Sequence, residues 1–295
     1  MRQFLKGVFI TLFTIILAAV VFLYNVQMRS PFEIGEFIEL LGKKPTADNP
    51  EEYIQTVRQC MINYEPTVSV VYIGSAESMH SYVEDVLQDI FAVDDSATSS
   101  DFDYLAYNYA GMQVKMEGLF GYYKITYTFT YNETKEQTQE VDDKIQKLFK
   151  KWNIEKMNDY HKIKKIHDYV IRNATYDLSA KDNSAYSNLI DKTSACQGYA
   201  SIMYKMLTEA GIPCRIIIGK GDNESHAWNI VRIKGSWYNL DATWDDPVGP
   251  VGEEYISYAY FLKGNKNFTD HTPDAKFLTE TFQTEYKISE TDYRP

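Results

Sequence analysis

A cysteine, a histidine and an aspartate occur in that order at Cys196, His226 and Asp241. A thiol, an imidazole and a carboxylate are the parts of a nucleophile, its general base and the group that orients the base. Together they can attack the acyl carbon of an amide. Order alone carries little weight, because a cysteine on a helix is more often a small core residue. Local sequence separates Cys196 from that reading, since it sits in Ser194-Ala195-Cys196-Gln197-Gly198-Tyr199-Ala200, among polar residues and glycine. Cys214 opens an apolar run and reads as core.

Periodicity indicates the elements that must position these groups. Residues 197–210 predict a helix with Ala200, Met203, Tyr204, Leu207 and Ala210 inward, stopped by Gly211 and Pro213. Ser194 is the expected N-cap, which puts Cys196 in the first turn. There the open N–H groups and the positive end of the helix dipole favour a thiolate and can donate to a developing oxyanion. Residues 226–233 and 236–243 predict two strands joined by the two-residue turn Lys234-Gly235. This turn sets Trp228 opposite Asp241 and His226 opposite Thr243. His226 and Asp241 then share a face as diagonal neighbours, roughly 7 to 8 Å apart between backbones, which their side chains can bridge. Asn239 lies one step further along that face and is the fallback orienting residue. A loop one residue longer would break the pairing. The competing reading is a satisfied buried His/Asp pair without chemistry; the helix-start cysteine beside it favours catalysis.

Composition narrows the class. A chain of 295 residues with 44 % hydrophobic content can build a substantial core in one large domain or two ordinary ones. A net charge of -11, with no clustered basic face, excludes nucleic acid as the expected partner. The three cysteines are no disulfide framework, although Cys60 and Cys214 could pair in an oxidising compartment and leave Cys196 free. Residues 8–24 form an uncharged apolar run behind Arg2 and Lys6, with the small Ala18 and Ala19 inside the run instead of after it. That pattern predicts an uncleaved signal-anchor helix, a little under the usual span of about 20 residues. Its basic end would stay in the cytoplasm and the bulk of the chain would be extracytoplasmic, or secreted if the segment is cleaved.

Residues 1–30 are thus the expected membrane segment and 31–50 a polar, turn-rich linker. Residues 51–135 read as a small α+β unit: helices over 51–61 and 78–91, strands over 67–73 and 122–131, and an acidic, Ser-rich loop over 94–103. It holds no catalytic constellation, only the lone His80. Residues 136–295 begin with helices over 139–152 and 158–173. His161 and His167 lie on the second helix without the i, i+4 spacing of a zinc helix, so no metal site is expected.

Several ordered motifs resemble the transglutaminase-like superfamily, particularly bacterial secreted or membrane-anchored members. They are Ile166-His167-Asp168-Tyr169-Val170 with Thr175-Tyr176-Asp177, the segment around Cys196, His226-Ala227-Trp228-Asn229, and Trp237 through Pro247 with Asp241 inside it. Tyr260-Phe261-Leu262 and a later His271 look like the closing segment, and the likeness spans residues 140–272. It implies a papain-like α+β fold with the nucleophile helix packed on an antiparallel sheet, and the triad Cys196, His226 and Asp241. Animal-type crosslinking transglutaminases carry Trp directly after the nucleophile, where Gln197 stands here, so the acceptor stays open between water and a Lys amine. Gln197, Tyr176, Trp228 and Asn239 are the candidates for substrate contact or oxyanion donation.

The expectation is a membrane-anchored cysteine enzyme acting on peptide or protein amides without a cofactor, as an acyltransferase, peptidase or amidase. The alternative is a silent cell-surface binding or scaffold protein with the same fold.

Overall fold

A computed structural model describes residues 39–40, 50–95, 98–179, 181, 183–246 and 256–295. The expected membrane segment and most of the linker lie outside these residues. Among the described residues no helix is long and apolar enough to cross a membrane.

The chain divides into two compact units. The first holds the segments up to Cys60, Pro66–Leu87 and Met112–Thr128. Its helix α1 (Pro50–Ile62) precedes strand β1 (Thr67–Ile73), helix α2 (Ala76–Ala92) and the hairpin of β2 (Tyr109–Leu119) and β3 (Tyr122–Tyr131). The sheet runs β1-β3-β2, with β1 antiparallel to β3 from Thr67↔Thr128 to Ile73↔Tyr122. The alternation read from β3 holds: Ile125, Tyr127 and Phe129 are buried while Thr128 and Thr130 are exposed.

The second unit comprises Met61–Glu65, Gln88–Gly111 and Phe129–Pro295. Its early segments are tied in by charge. Asp103, in the short helix α3 (Phe102–Asn108), binds Arg215 through both carboxylate oxygens at 2.8 and 3.0 Å and also accepts from the Ile216 N–H. Helix α4 (Lys135–Trp152) begins four residues before the periodic stripe, because Thr134 and Gln137 form a reciprocal capping box. Helix α5 (Asp159–Asn173) is capped by Asn158. The strands β4 (Thr175–Tyr176) and β5 (Thr193–Ser194) pair in parallel and lead to helix α6 (Cys196–Glu209).

Beyond α6, β6 (Cys214–Gly221), β7 (Glu224–Ile233), β8 (Ser236–Leu240) and β9 (His271–Pro273) make an antiparallel sheet in the order β8-β7-β6-β9. A last short helix, α7 (Glu280–Glu285), follows. Ala200, Met203, Tyr204, Leu207 and Ala210 of α6 are all buried with Ile216, Ala227, Val231 and Leu240 of the sheet. Burying a Met or Leu side chain fully contributes about 1.5–3 kcal/mol each, so this seam is what fixes α6 to the sheet.

Two expectations are corrected. Ser194 is not the N-cap: the cap is Ala195, with no side-chain bond, and Ser194 lies buried in β5, where its Oγ accepts from Asn188 at 2.9 Å. Gly198 allows that packing, since a Cβ there would sit 2.7 Å from Ser194 Cβ and from the Ser184 carbonyl oxygen. The second strand also stops at Leu240, short of Thr243, because Asp241 turns the chain onto its own carboxylate, as described below. Cys214 is a buried thiol at the start of β6, in keeping with its apolar run.

The capping box on α4 is directly testable. Thr134→Ala should cost about 1 kcal/mol, lowering the melting temperature by about 2–4 °C in a circular-dichroism melt. An unchanged melt would mean that the early start of α4 rests on something else.

Candidate active site

The turn Lys234-Gly235 has positive φ at both residues, 49° and 84°, as a type I′ hairpin needs. Pairing therefore begins at Ile233↔Ser236 and runs to Asn229↔Leu240, the register that the two-residue loop dictates. Asp241 follows one residue later. His226 Nε2 reaches Asp241 Oδ2 at 2.7 Å. Cys196, the first residue of α6, acts electrostatically on the same imidazole; with Nε2 on the carboxylate, Nδ1 is the nitrogen left for the thiol. The three residues singled out from sequence thus come together in the order thiol, imidazole, carboxylate.

Burial and charge act on this chain in opposite directions. Burial alone would lower the His226 pKa, but the Asp241 hydrogen bond, then the interaction with Cys196 and both negative charges, push it up to about 9. Burial would raise Asp241, which is 0 % exposed, yet hydrogen bonds from His226 and His271 hold it at about 2. Asp241 Oδ1 accepts the N–H groups of Thr243 at 2.9 Å and Trp244 at 3.2 Å, and this tight turn ends β8. On Oδ2, His271 Nε2 adds a second imidazole at 3.0 Å.

Aromatic rings enclose the pair of imidazoles. Trp244 lies 5.2 Å from the His226 ring and 4.3 Å from His271, centroid to centroid, while Trp228 lies 6.1 and 5.0 Å away. Gly221 makes room for this: a Cβ there would meet Trp244 at 2.6 Å and His226 at 3.2 Å. The donor atoms of His226, Asp241 and His271 lie within 4.8 Å of one another. The contacts of both imidazoles with the Asp241 carboxylate account for that closeness.

The other sequence candidates fall in different places. Tyr176 of β4 is beside the site, and its hydroxyl pKa is raised by burial and then by the charges of Cys196, Asp241 and Glu224. Gln197 is adjacent, but its side-chain amide donates to the Tyr107 carbonyl at 3.0 Å. Trp228 is buried in the wall behind His226, with its indole N–H unpartnered in the protein. Asn239 pairs through its backbone with Lys263 and sends its amide there too, so Asp241 and not Asn239 holds the imidazole.

Two residues escaped the sequence reading. His271 was visible only as part of a closing motif; its neighbour Asp270 was the available hint of a paired imidazole. His167 was set aside as a helix histidine, yet it is fully buried and its Nε2 lies 3.1 Å from the buried Asp245.

With this geometry established, the chain can be set beside known proteins. Residues 146–242, which contain Cys196, His226 and Asp241, match the family model of the Transglutaminase-like superfamily. This segment of the chain is transglutaminase-like. Kyphoscoliosis peptidase of Mus musculus is 28 % identical over 142 residues, covering 40 % of this chain and 22 % of that protein, and the Homo sapiens protein is 28 % identical over 141. The chain thus matches about a fifth of the length of those relatives. A solved structure described as a TGase is 19 % identical with a TM-score of 0.34, covering 47 % of this chain and 46 % of the other. Members of the superfamily are cysteine peptidases or acyltransferases.

The raised His226 pKa makes a stability prediction. A group held above its unfolded value of 6.5 contributes stability that is complete below about 6.5 and is lost as pH rises through about 9. Urea unfolding should therefore show wild type losing stability between pH 6.5 and 9.5 relative to His226→Gln. Parallel pH profiles for the two proteins would refute the ion-paired imidazole.

Proposed function

We propose that this domain is a cysteine enzyme that transfers acyl groups from peptide or protein amides, with Cys196 as nucleophile, His226 as base and Asp241 as the group that fixes the imidazole. The observation that carries this reading is a buried imidazole hydrogen-bonded to a buried carboxylate at 2.7 Å and acted on by a partly exposed thiol at a helix start.

Cys196 Sγ attacks the amide carbon with its proton already held on His226, whose raised pKa keeps the imidazole charged at neutral pH. The C–N bond then breaks, the leaving amine takes the proton from His226, and a thioester remains on Cys196. Water or a Lys amine, deprotonated by His226, attacks the thioester carbon and the C–S bond breaks. The proton taken from the acceptor stays on His226 opposite the released sulfur, and the cycle closes. Developing charge on the carbonyl oxygen is met by the N–H groups of Cys196 and Gln197, which lie in the first turn of α6 and have no intrahelical acceptor. The side chain of Gln197 is spent on Tyr107 and takes no part. The apolar run over residues 8–24 supports placing this chemistry outside the cytoplasm, at a membrane.

Iodoacetamide at pH 6 should alkylate Cys196 at least tenfold faster than a simple thiol, with the site identified by peptide mass mapping. His226→Ala should remove that enhancement, and Cys196→Ala should abolish turnover of a peptide library offered with and without amine acceptors. Unenhanced alkylation of the folded wild-type protein would defeat the enzyme reading and leave a silent binding protein.

A further inference from the structure

The triad uses one of the two imidazoles bound to Asp241. The other, His271, is built in with comparable care. Its strand β9 pairs with β6 through Gly219↔Pro273 and Gly221↔His271, and Gly219 is obligatory there because a Cβ would lie 2.1 Å from the Thr272 carbonyl oxygen. The His271 ring stacks on Phe268 with centroids 3.9 Å apart and is edged by Trp228 and Tyr260 at 5.0 and 5.6 Å. Its far nitrogen, Nδ1, lies 2.8 Å from Asp270 Oδ1, and the Tyr260 hydroxyl donates to Asp270 Oδ2 at 2.7 Å. The ring is therefore fixed on both edges and both faces before it meets Asp241.

We propose that His271 is a positioning residue for the triad: it keeps Asp241 ionised and aimed at His226 inside an enclosure that would otherwise favour the neutral acid. This rests on the triad reading given above. The physical case is the balance on Asp241. A fully buried carboxylate is driven toward protonation by desolvation, and only donors aimed at it reverse this. Four donors face it: two backbone N–H groups on Oδ1, and His226 and His271 on Oδ2. During turnover His226 exchanges protons with the thiol and the substrate, so its grip on Asp241 varies. His271 touches neither and supplies a constant donor.

The titratable groups around this pair are His226 from β7, Asp270, Tyr260, and Tyr176 and Cys196 beyond His226. Asp222, at the β6–β7 turn, binds the Asp270 carbonyl through its N–H. Lys220 is opposite Thr272 on the β6–β9 ladder.

The test is the carboxyl-carbon NMR titration of Asp241 in the Cys196→Ser protein, which needs no turnover. His271→Leu should move the Asp241 midpoint up by about one pH unit, and His271→Gln, which can still donate, should restore most of the shift. In the protein with Cys196 intact, His271→Leu should slow alkylation at pH 6 about tenfold, with His271→Gln again recovering it. A role confined to packing would lower the melting temperature of His271→Leu but leave the midpoint where it was, and an unmoved midpoint overturns the proposal. Should His271→Leu not fold, Asp270→Asn releases the far edge of the ring and should move the same midpoint up by a smaller amount; no movement there is equally fatal. If wild-type Cys196 shows no enhanced alkylation, the enzyme reading fails alone, because the carboxyl titration still reports on His271.

Discussion

The Asp241 carboxylate is the constraint from which the rest of the site follows. A fully buried charge costs several kcal/mol unless its oxygens are satisfied, and each oxygen here accepts two donors. Those donors come from three separate places, β7, β9 and the turn after Asp241 itself. The sheet must therefore close with β9 against β6, β8 must end at Leu240, and Gly219 and Gly221 must lack side chains. Each of these local features looks arbitrary until the carboxylate is considered.

The same turn distributes its acids to fix the two halves of the site against each other. Asp241 is bound to the sheet through His226 and His271. Asp245, four residues on, accepts from the Tyr260 N–H at 2.9 Å and meets His167 of α5 at 3.1 Å. Asp246 accepts the Tyr199 hydroxyl of α6 at 2.5 Å. One six-residue turn thus touches the sheet, the helix behind the nucleophile and the nucleophile helix itself. Because Tyr199 is three residues from Cys196 on the same helix, the thiol and its base are referenced to a common anchor. Interior packing is close and transmits small shifts, which is why a site that needs sub-ångström placement benefits from anchoring in this manner.

How much of this could be read in the sequence depended on how local the cause was. The two-residue turn fixed the β7–β8 register, because a hairpin register is determined by loop length and by which residues tolerate positive φ, and Lys234-Gly235 declared both. The inward stripe of α6 was equally plain from its period. The errors lie where side chains compete with the backbone. Ser194 has the chemistry of an N-cap, yet Asn188, six residues earlier in the short helical segment Ser187–Asp191, claims its hydroxyl. Residues 241–243 have strand character, but Asp241 captures the N–H groups that β8 would have used. His271 and Asp245 stood out only as members of motifs; their partners lie 30 and 78 positions away, and no periodicity connects them.

The choice of acceptor in the proposed reaction has a physical basis outside Cys196, His226 and Asp241. In that proposal His226 removes a proton from water or from an amine by the same motion, so the three groups do not prefer one over the other. Discrimination must come from what surrounds the thiol: how completely water is excluded and what charge meets an incoming nucleophile. Gln197 has its amide committed to Tyr107, so it offers no contact of its own to an acceptor. Tyr176 remains as the polar group at the thiol, with the carboxylates of Glu224 and Asp177 acting on it from nearby. Those negative charges attract a protonated amine but oppose deprotonation of either nucleophile. Attraction and activation therefore pull in opposite directions for an amine at this rim. It gains in encounter what it loses in activation, while water gains nothing in encounter and relies on His226 alone.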